Sequence, residues 1–523
     1  MLNRYISRMI ICLILVGLLS SLWQSHWVAA QSNDPQHNFE SIDTYITQQM
    51  NELEIPGVAI GIVRGDQVVY VQGYGVADDT GRAMTPDTPF LIASLSKSIT
   101  AVGVMQLVEE GMIDLDAPVQ TYLSWFRVED EEVSSKITVR HLLHQTSGFD
   151  ERESYVRNLN TDPSDEALEK SIRALSTAEL NFAPGEAFEY TNTNYDILGL
   201  LIQTVSGQSY EEYVEEKIFF PLDMQQSYTS LEDARAGDMT RGYYPFFGIT
   251  TAYDHLMPYS RIVKPSAGLF SSAEDLAHYL IAYLNDGQYA GNLILSPEGM
   301  DELHTVGLKF DDNAGYAMGW SVFSFPDMAP ATPDGSVPIG ISHAGEWVGY
   351  TSLLVFIPEL ETGIVLLMNK HDPARMPEYF SIGWSLSMLA VGLEPLESQS
   401  ADFIGRNIRV LLAAVILLLI IGVVWAVQKI RQLPLQSGND SRQKRKLGIQ
   451  MTVLAIVDLA LAGGLLFIRL PETKDTLSLA LRFNPDIGLI YVILLLLTLG
   501  WGTIRTLLFL RQFFKPNKLE TIS

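Results

Sequence analysis

Beyond residue 405 this 523-residue chain is dominated by three apolar runs, which restrict its fold more than any other feature. Val410–Val427 carries no charge. As a helix rising ~1.5 Å per residue it would span roughly 27 Å, close to the thickness of a bilayer's hydrocarbon. Residues 449–468 form a second run, marked by Asp458 near its middle, and residues 487–510 a third, interrupted by Arg505. Between the first two runs lie Lys429, Arg431, Arg442, Lys444, Arg445 and Lys446, and after the third come Arg511, Lys515 and Lys518. The positive-inside rule puts this loop and tail in the cytoplasm, with residues 31–405 on the other side. A charge at a helix centre costs about 2.5–3.5 kcal/mol, so Asp458 is expected to face another helix or to be protonated.

The N-terminus points the same way. Arg4 and Arg8, the apolar stretch from Ile10 to Leu19 and the small residues Val28-Ala29-Ala30 predict a secretory signal over residues 1–30. Cleaved or retained, it would carry the following residues across a membrane. The single cysteine, Cys12, lies inside it, which excludes disulfides, thiolate catalysis and zinc-thiolate sites from a processed chain.

Charge divides the chain as hydropathy does. Residues 31–405 hold 18 Lys and Arg against 55 Asp and Glu, whereas residues 406–523 hold 15 against 6. So acidic a body repels phosphates, which argues against a nucleic-acid partner. The expected partners are a small-molecule or peptide substrate and the lipid bilayer, with room for a membrane-protein partner. No metal or other cofactor is expected.

Residues 31–395 read as one α/β (α+β) domain, joined to the membrane segment 406–523 by a link at 396–405. Phe39, Ile42, Ile46, Met50 and Leu53 recur at helical spacing. Val58–Val63 and Val68–Val71 read as strands around the turn Arg64-Gly65-Asp66, and Ser352–Ile357 and Gly363–Met368 as a second pair. Strand pairs at both ends predict an antiparallel sheet closed by both termini, with helices between.

Three short segments carry chemistry. Ser94 precedes an apolar helical stretch that ends near Gly111, and Lys97 follows on the same face. A hydroxyl needs a base to become a nucleophile, and a desolvated lysine one turn away is such a base. The helix N-terminus would add backbone N–H groups for an oxyanion. Tyr190-Thr-Asn192 follows a Pro184-Gly185 turn and opens another helix, offering a phenol as proton relay and an amide for a substrate carbonyl. Ser342-His343-Ala344-Gly345-Glu346 enters the strand Ser352–Ile357, where a glycine would admit a close backbone. Each pattern alone is weak. Ser441–Lys444 repeats the first in the basic loop, and Tyr283-Leu-Asn285 repeats the second.

In this order, Ser94-x-x-Lys97, Tyr190-x-Asn192 and His343-x-Gly345 resemble the serine β-lactamase and penicillin-binding protein superfamily, and its class C branch in particular. The segments Ile137–Phe149, Pro184-Gly185 and Ala267–Leu276 resemble it as well, so the likeness covers residues 36–395 and none of the membrane segment. It implies an antiparallel sheet flanked by helices, with an all-helical subdomain. It further implies an acylated Ser94, Lys97 as base and Tyr190 as proton shuttle. Asn192, His343 and Gly345 would bind substrate, and the backbone N–H groups of Ser94 and Glu346 would form the oxyanion hole. Relatives often have Lys-Thr-Gly where this chain has His343-Ala344-Gly345. Loss of that lysine and hydroxyl, together with the negative Glu346, predicts poor recognition of anionic β-lactams and favours ester or peptide substrates. Two rivals are a Ser-His-Asp hydrolase, whose nucleophile elbow is only approached at Gly340–Ala344, and a non-catalytic sensor or binding module. The short cytoplasmic segments speak against the sensor.

Overall fold

The computed structural model describes residues 35–396, apart from 152–156, 158–159, 254–258 and 334, scattered positions between 410 and 428, and residues 485–513. The signal segment, most of the link, the second apolar run with Asp458 and the basic loop with Ser441–Lys444 lie outside the described residues.

The chain opens with helix α1, Pro35–Leu53, and strands β1, Gly57–Arg64, and β2, Gln67–Gly75. Helix α2 covers Ser96–Glu109 and α3 covers Asn192–Ser206. A hairpin follows, β3 Tyr243–Phe246 and β4 Ile249–Ala252, then helix α4, Ala273–Leu284. Next come β5, Leu308–Lys309, β6, Ala314–Tyr316, and β7, Ser321–Ser324. The long strands β8, Ile339–Trp347, β9, Tyr350–Ile357, and β10, Thr362–Met368, lead into α5, Met376–Ala390.

These strands, except the separate β3–β4 hairpin, make one eight-stranded sheet in the order β2-β1-β10-β9-β8-β7-β6-β5. Every pairing is antiparallel. The N-terminal β1 pairs with the C-terminal β10, Val58 opposite Met368 and Arg64 opposite Thr362, so both ends of the domain meet in the sheet as expected.

Alternation of side chains explains why β9 and β10 read as unbroken apolar runs. Val355, Ile364, Leu366 and Met368 face α1 and α5, with Ile42, Ile46, Tyr379, Ile382 and Leu386 across from them. Leu354, Phe356, Val365 and Leu367 face the opposite way, into the larger core that includes α2, α3 and α4. Covered on both faces, the sheet is a rigid floor. The helical region inserted between β2 and β5 stands beside it and carries two of the three motifs.

Helix α6, Pro485–Phe513, contains the third apolar run, expected at 487–510. Among the described residues it is the one helix long and apolar enough to cross a bilayer, by length and composition, through the window Pro485–Gly502. The described positions of the first run are helical.

Leu366 is fully buried on the central strand β10. Leu366→Ala should cost about 2–5 kcal/mol, because the rigid sheet and α5 cannot close on the cavity. Thermal unfolding of the full chain checks this, and an unchanged midpoint would contradict the packing described.

Candidate active site

The site forms where α2, α3 and β8 converge. The chain reaches Ser94 through Ala93, which holds a left-handed φ of +49°. A residue with a Cβ is uncommon there, and the conformation persists only because packing imposes it. Ile92 N donates to Leu269 O at 3.0 Å, and Ser352 Oγ donates to Ile92 O at 2.7 Å. A single tight turn over Ala93–Leu95 follows, and it leaves Ser94 half-buried at the entrance to α2.

Lys97 lies one turn further on, with no exposed surface. Its Nζ donates to Ser94 Oγ at 3.2 Å, to Asn192 Oδ1 at 2.6 Å and to the carbonyl of Ser266 at 2.7 Å. Burial removes the hydration an ammonium needs and pushes the Lys97 amine down to about 7, while the charge of Asp196 opposes the fall. Near neutral pH a large share of Lys97 is therefore a free amine with a lone pair, poised 3.2 Å from the hydroxyl.

The second motif is held by the segment around Gln145. Gln145 Oε1 accepts from Thr191 N at 3.1 Å and from Asn194 Nδ2 at 2.6 Å, and Ser147 Oγ donates to Asn194 Oδ1 at 2.6 Å. Thr191 caps α3 by accepting from Thr193 N, so Asn192 begins the helix with its amide turned to Lys97. The Tyr190 ring centroid lies 4.7 Å from Lys97 Nζ and 6.2 Å from the His343 ring. Here the Ile137–Phe149 segment finds its use as a clamp. His141 and His144 stay structural, His141 completing the capping box of the short helix Val139–Leu143.

The third motif departs from expectation in its setting. His343 lies inside β8 rather than in a segment leading to a strand, which also removes the nucleophile elbow approached at Gly340–Ala344. Its Nδ1 sits 2.7 Å from Ala344 O. Because a carbonyl only accepts, Nδ1 carries the proton and Nε2 keeps its lone pair. Burial, and then the charge of Lys97, push the imidazole down to about 3, so His343 is neutral at any physiological pH.

Gly345 is required for a reason the sequence did not show. A Cβ there would come within 2.2 Å of both Ile92 O and Ser352 Oγ, so the missing side chain lets β8 close on the turn before Ser94. Glu346, next along, is exposed. Lost hydration raises its carboxyl, but the open surface limits that rise, and Glu346 brings negative charge to the strand near neutral pH.

The structure thus gathers Ser94, Lys97, Tyr190, Asn192, His343 and Gly345 around one cleft, with Glu346 at the strand edge. The decoy Tyr283-Leu-Asn285 falls at the end of α4, where Tyr283 is buried against Trp320. Two participants escaped the sequence reading. One is the Ser266 carbonyl, which no side-chain pattern could reveal. The other is Asp196, buried one turn beyond Asn192, with Arg157 Nη2 at 3.9 Å. Burial raises its carboxyl to about 6, opposed by Arg157, Ser266 and Lys97. Its spacing of four from Asn192 on an apolar helix was the available signal.

Known proteins resemble this chain in sequence and fold. The family model described as Beta-lactamase matches residues 42–379. Protein flp of Staphylococcus aureus (strain MW2) is 31% identical over 353 residues, covering 65% of this chain. The match spans only 64% of the length of that relative. Penicillin-binding protein 4 of Amycolatopsis lactamdurans is 28% identical over 356 residues, 66% of this chain and 85% of its own length. Among solved structures, the octameric penicillin-binding protein homologue from Pyrococcus abyssi superposes with a TM-score of 0.58 at 29% identity, over 71% of this chain and 80% of that one. The D-alanine carboxypeptidase AmpC from Burkholderia cenocepacia shares the fold, with a TM-score of 0.54 at 23% identity over 68% and 99% of the two chains.

An amine titrating near 7 predicts a pH profile. Below that value Lys97 is protonated and accepts nothing, so acylation of Ser94 by a fluorophosphonate should rise with pH, half-maximal near 7. Lys97→Met should slow labelling about 100-fold or more and abolish the step. Stability should rise with pH as well. Between about 7 and the unfolded value the unfolded chain binds the extra proton, so the wild type gains stability as pH rises. The melting point of Lys97→Met should therefore exceed that of wild type by more at pH ~6 than at pH ~9. A flat rate profile, or an advantage that grows with pH, would contradict the assignment.

Proposed function

The chain belongs to the Beta-lactamase family; on this premise we propose that it is a serine hydrolase working through an acyl-enzyme on Ser94, acting on esters or on amides such as D-amino-acid peptides, outside the cytoplasm and anchored in a membrane. The observation that carries the reading is the buried Lys97 amine, 3.2 Å from Ser94 Oγ and held by Asn192 and the Ser266 carbonyl. In acylation Lys97 takes the hydroxyl proton as Ser94 Oγ attacks the carbonyl carbon. The N–H groups of Ser94 and Glu346 receive the oxyanion. Tyr190, beside the amine, passes the proton to the leaving group and then draws one from water, which releases the acid and restores Ser94.

Substrate preference follows from the third motif. A lysine there would offer an ammonium to an anionic group, but neutral His343 offers a lone pair at Nε2, Ala344 offers no hydroxyl, and Glu346 brings negative charge. This favours neutral acyl groups over the carboxylate of a β-lactam. D-amino-acid peptidase activity remains within the reading, because Asn192 and the β8 backbone would align a peptide's amide. The rival is a penicillin-binding-like module that senses ligand without turnover.

Anchoring rests on the apolar α6, on the partly described first apolar run, on the second run and basic loop outside the described residues, and on the signal at residues 1–30. Together they make a multi-pass membrane protein with its catalytic domain extracytoplasmic.

Purified full-length protein should hydrolyse p-nitrophenyl esters of short acids with turnover, and Ser94→Ala should lose at least about 1000-fold. Nitrocefin hydrolysis should be weaker than ester hydrolysis. Equal fluorophosphonate labelling of wild type and Ser94→Ala would refute the nucleophile. Stable acylation without turnover would favour the sensor, and nitrocefin as the best substrate would refute the preference.

A further inference from the structure

The β3–β4 hairpin plays no part in the cleft, yet three features set it apart. Its root is bolted to the domain. Tyr243 N donates to Asn369 O at 2.9 Å and His371 N to Tyr243 O at 3.1 Å. Lys370 Nζ donates at 2.9 Å to Leu53 O, to Glu54 O and to Thr250 Oγ1 on β4. Gly242 lies against Gly349 and Tyr350, the turn that ends the strand carrying His343 and Gly345.

The tip breaks a local rule. Phe247 and Gly248 have φ of +50° and +83°, the pair of left-handed residues that a two-residue hairpin turn demands. Asn or Asp would take the first position at little cost, whereas a bulky aromatic there is strained. The strain displays apolar surface: Phe247 is 39% exposed and Ile249 71%.

The third feature is what the hairpin touches. Tyr244 OH donates to Asp486 Oδ1 at 3.1 Å, and Phe247 N donates to Asp486 Oδ2 at 3.2 Å. Asp486 is fully buried on the first turn of α6, and Ile490, one turn later, is buried as well. The tip therefore stands at the height where the apolar window of α6 begins.

From this juxtaposition we propose that the hairpin is a membrane-docking element, with Phe247 and Ile249 seated in the interfacial layer of the bilayer that receives α6 and Asp486 locking domain to helix. The proposal rests on the membrane-anchored reading above. A bilayer that accepts an apolar helix from its first turn must come up to the hairpin bound there. Aromatic and aliphatic side chains are stable at that depth. Because the hairpin root packs on the turn after β8, docking fixes how the catalytic cleft is held over the lipid surface.

The test uses full-length protein with Cys12→Ser, in vesicles of phosphatidylcholine and phosphatidylglycerol, with an NBD label on Ile249→Cys. A control label goes on Asp66→Cys, at the far end of β1 from the hairpin root. The Ile249 label should emit blue-shifted and brighter light, and doxyl lipids should quench it at least twice as strongly as the control. In the same background, Asp486→Ala should reduce that difference. Phe247→Asn should reduce it too while leaving esterase activity in detergent unchanged, since Asn suits the left-handed turn. Protein that floats with vesicles while both labels behave as in water would overturn the docking and leave anchoring standing. Protein that fails to float would overturn both.

Discussion

A lysine amine sealed from water governs how this domain is built. Leaving Lys97 fully buried is costly unless its polar group is met, and it is met by three oxygens from three places: Asn192 at the head of α3 and Ser266 on the short helix Lys264–Ala267, which accept its two N–H groups when it is the free amine, and the Ser94 hydroxyl on its own turn, which then faces the lone pair. The first two of these partners lie 95 and 169 residues from it in sequence. Satisfying one side chain thereby fixes the mutual placement of the elements that hold Ser94, Asn192 and Ser266. The same desolvation makes the amine a weak enough base to stand unprotonated near neutral pH, so structural cost and proposed catalytic role have one cause.

Around that point the electrostatics grade outward. Asp196, with Arg157 Nη2 at 3.9 Å, is buried, and its charge moderates the fall in the basicity of Lys97. His343, across the cleft, is held neutral by burial and by Lys97 itself. A second cation in that position would compete with the first for the same poor solvation. In this chain the third motif contributes shape and a lone pair, with Gly345 chosen by the approach of Ile92 and Ser352.

Much of this was legible in the sequence. Strands β1, β9 and β10 declared themselves because both faces of the sheet are buried there, which leaves uninterrupted apolar runs between turns, and the part-exposed edge strand β2 was legible from the turn that joins it to β1. Ser94, Lys97, Tyr190 and Asn192 were legible because each sits at the start of a helix, where spacing translates directly into geometry. His343 was misplaced into a segment before a strand, since a polar stretch rich in Gly and Ala hides a strand whose side chains line a cleft. Asp196 and the Ser266 carbonyl were missed because their significance depends on tertiary contacts with Lys97. The β3–β4 hairpin gave no local signal either: a Phe at a left-handed turn position contradicts turn chemistry, and only its seat on α6 gives that residue a reason.

The central claim is that Lys97 is a neutral amine beside Ser94 in the working protein. Its titration can be watched directly by NMR of the full-length protein labelled with 13C at lysine Cε, the Lys97 resonance being assigned by its disappearance in Lys97→Met. The structure predicts a midpoint near 7, far from the bulk of the lysines. A midpoint at the ordinary lysine value of about 10.4 would mean a permanent ammonium at the site, and the acyl-transfer mechanism built on that amine would fail.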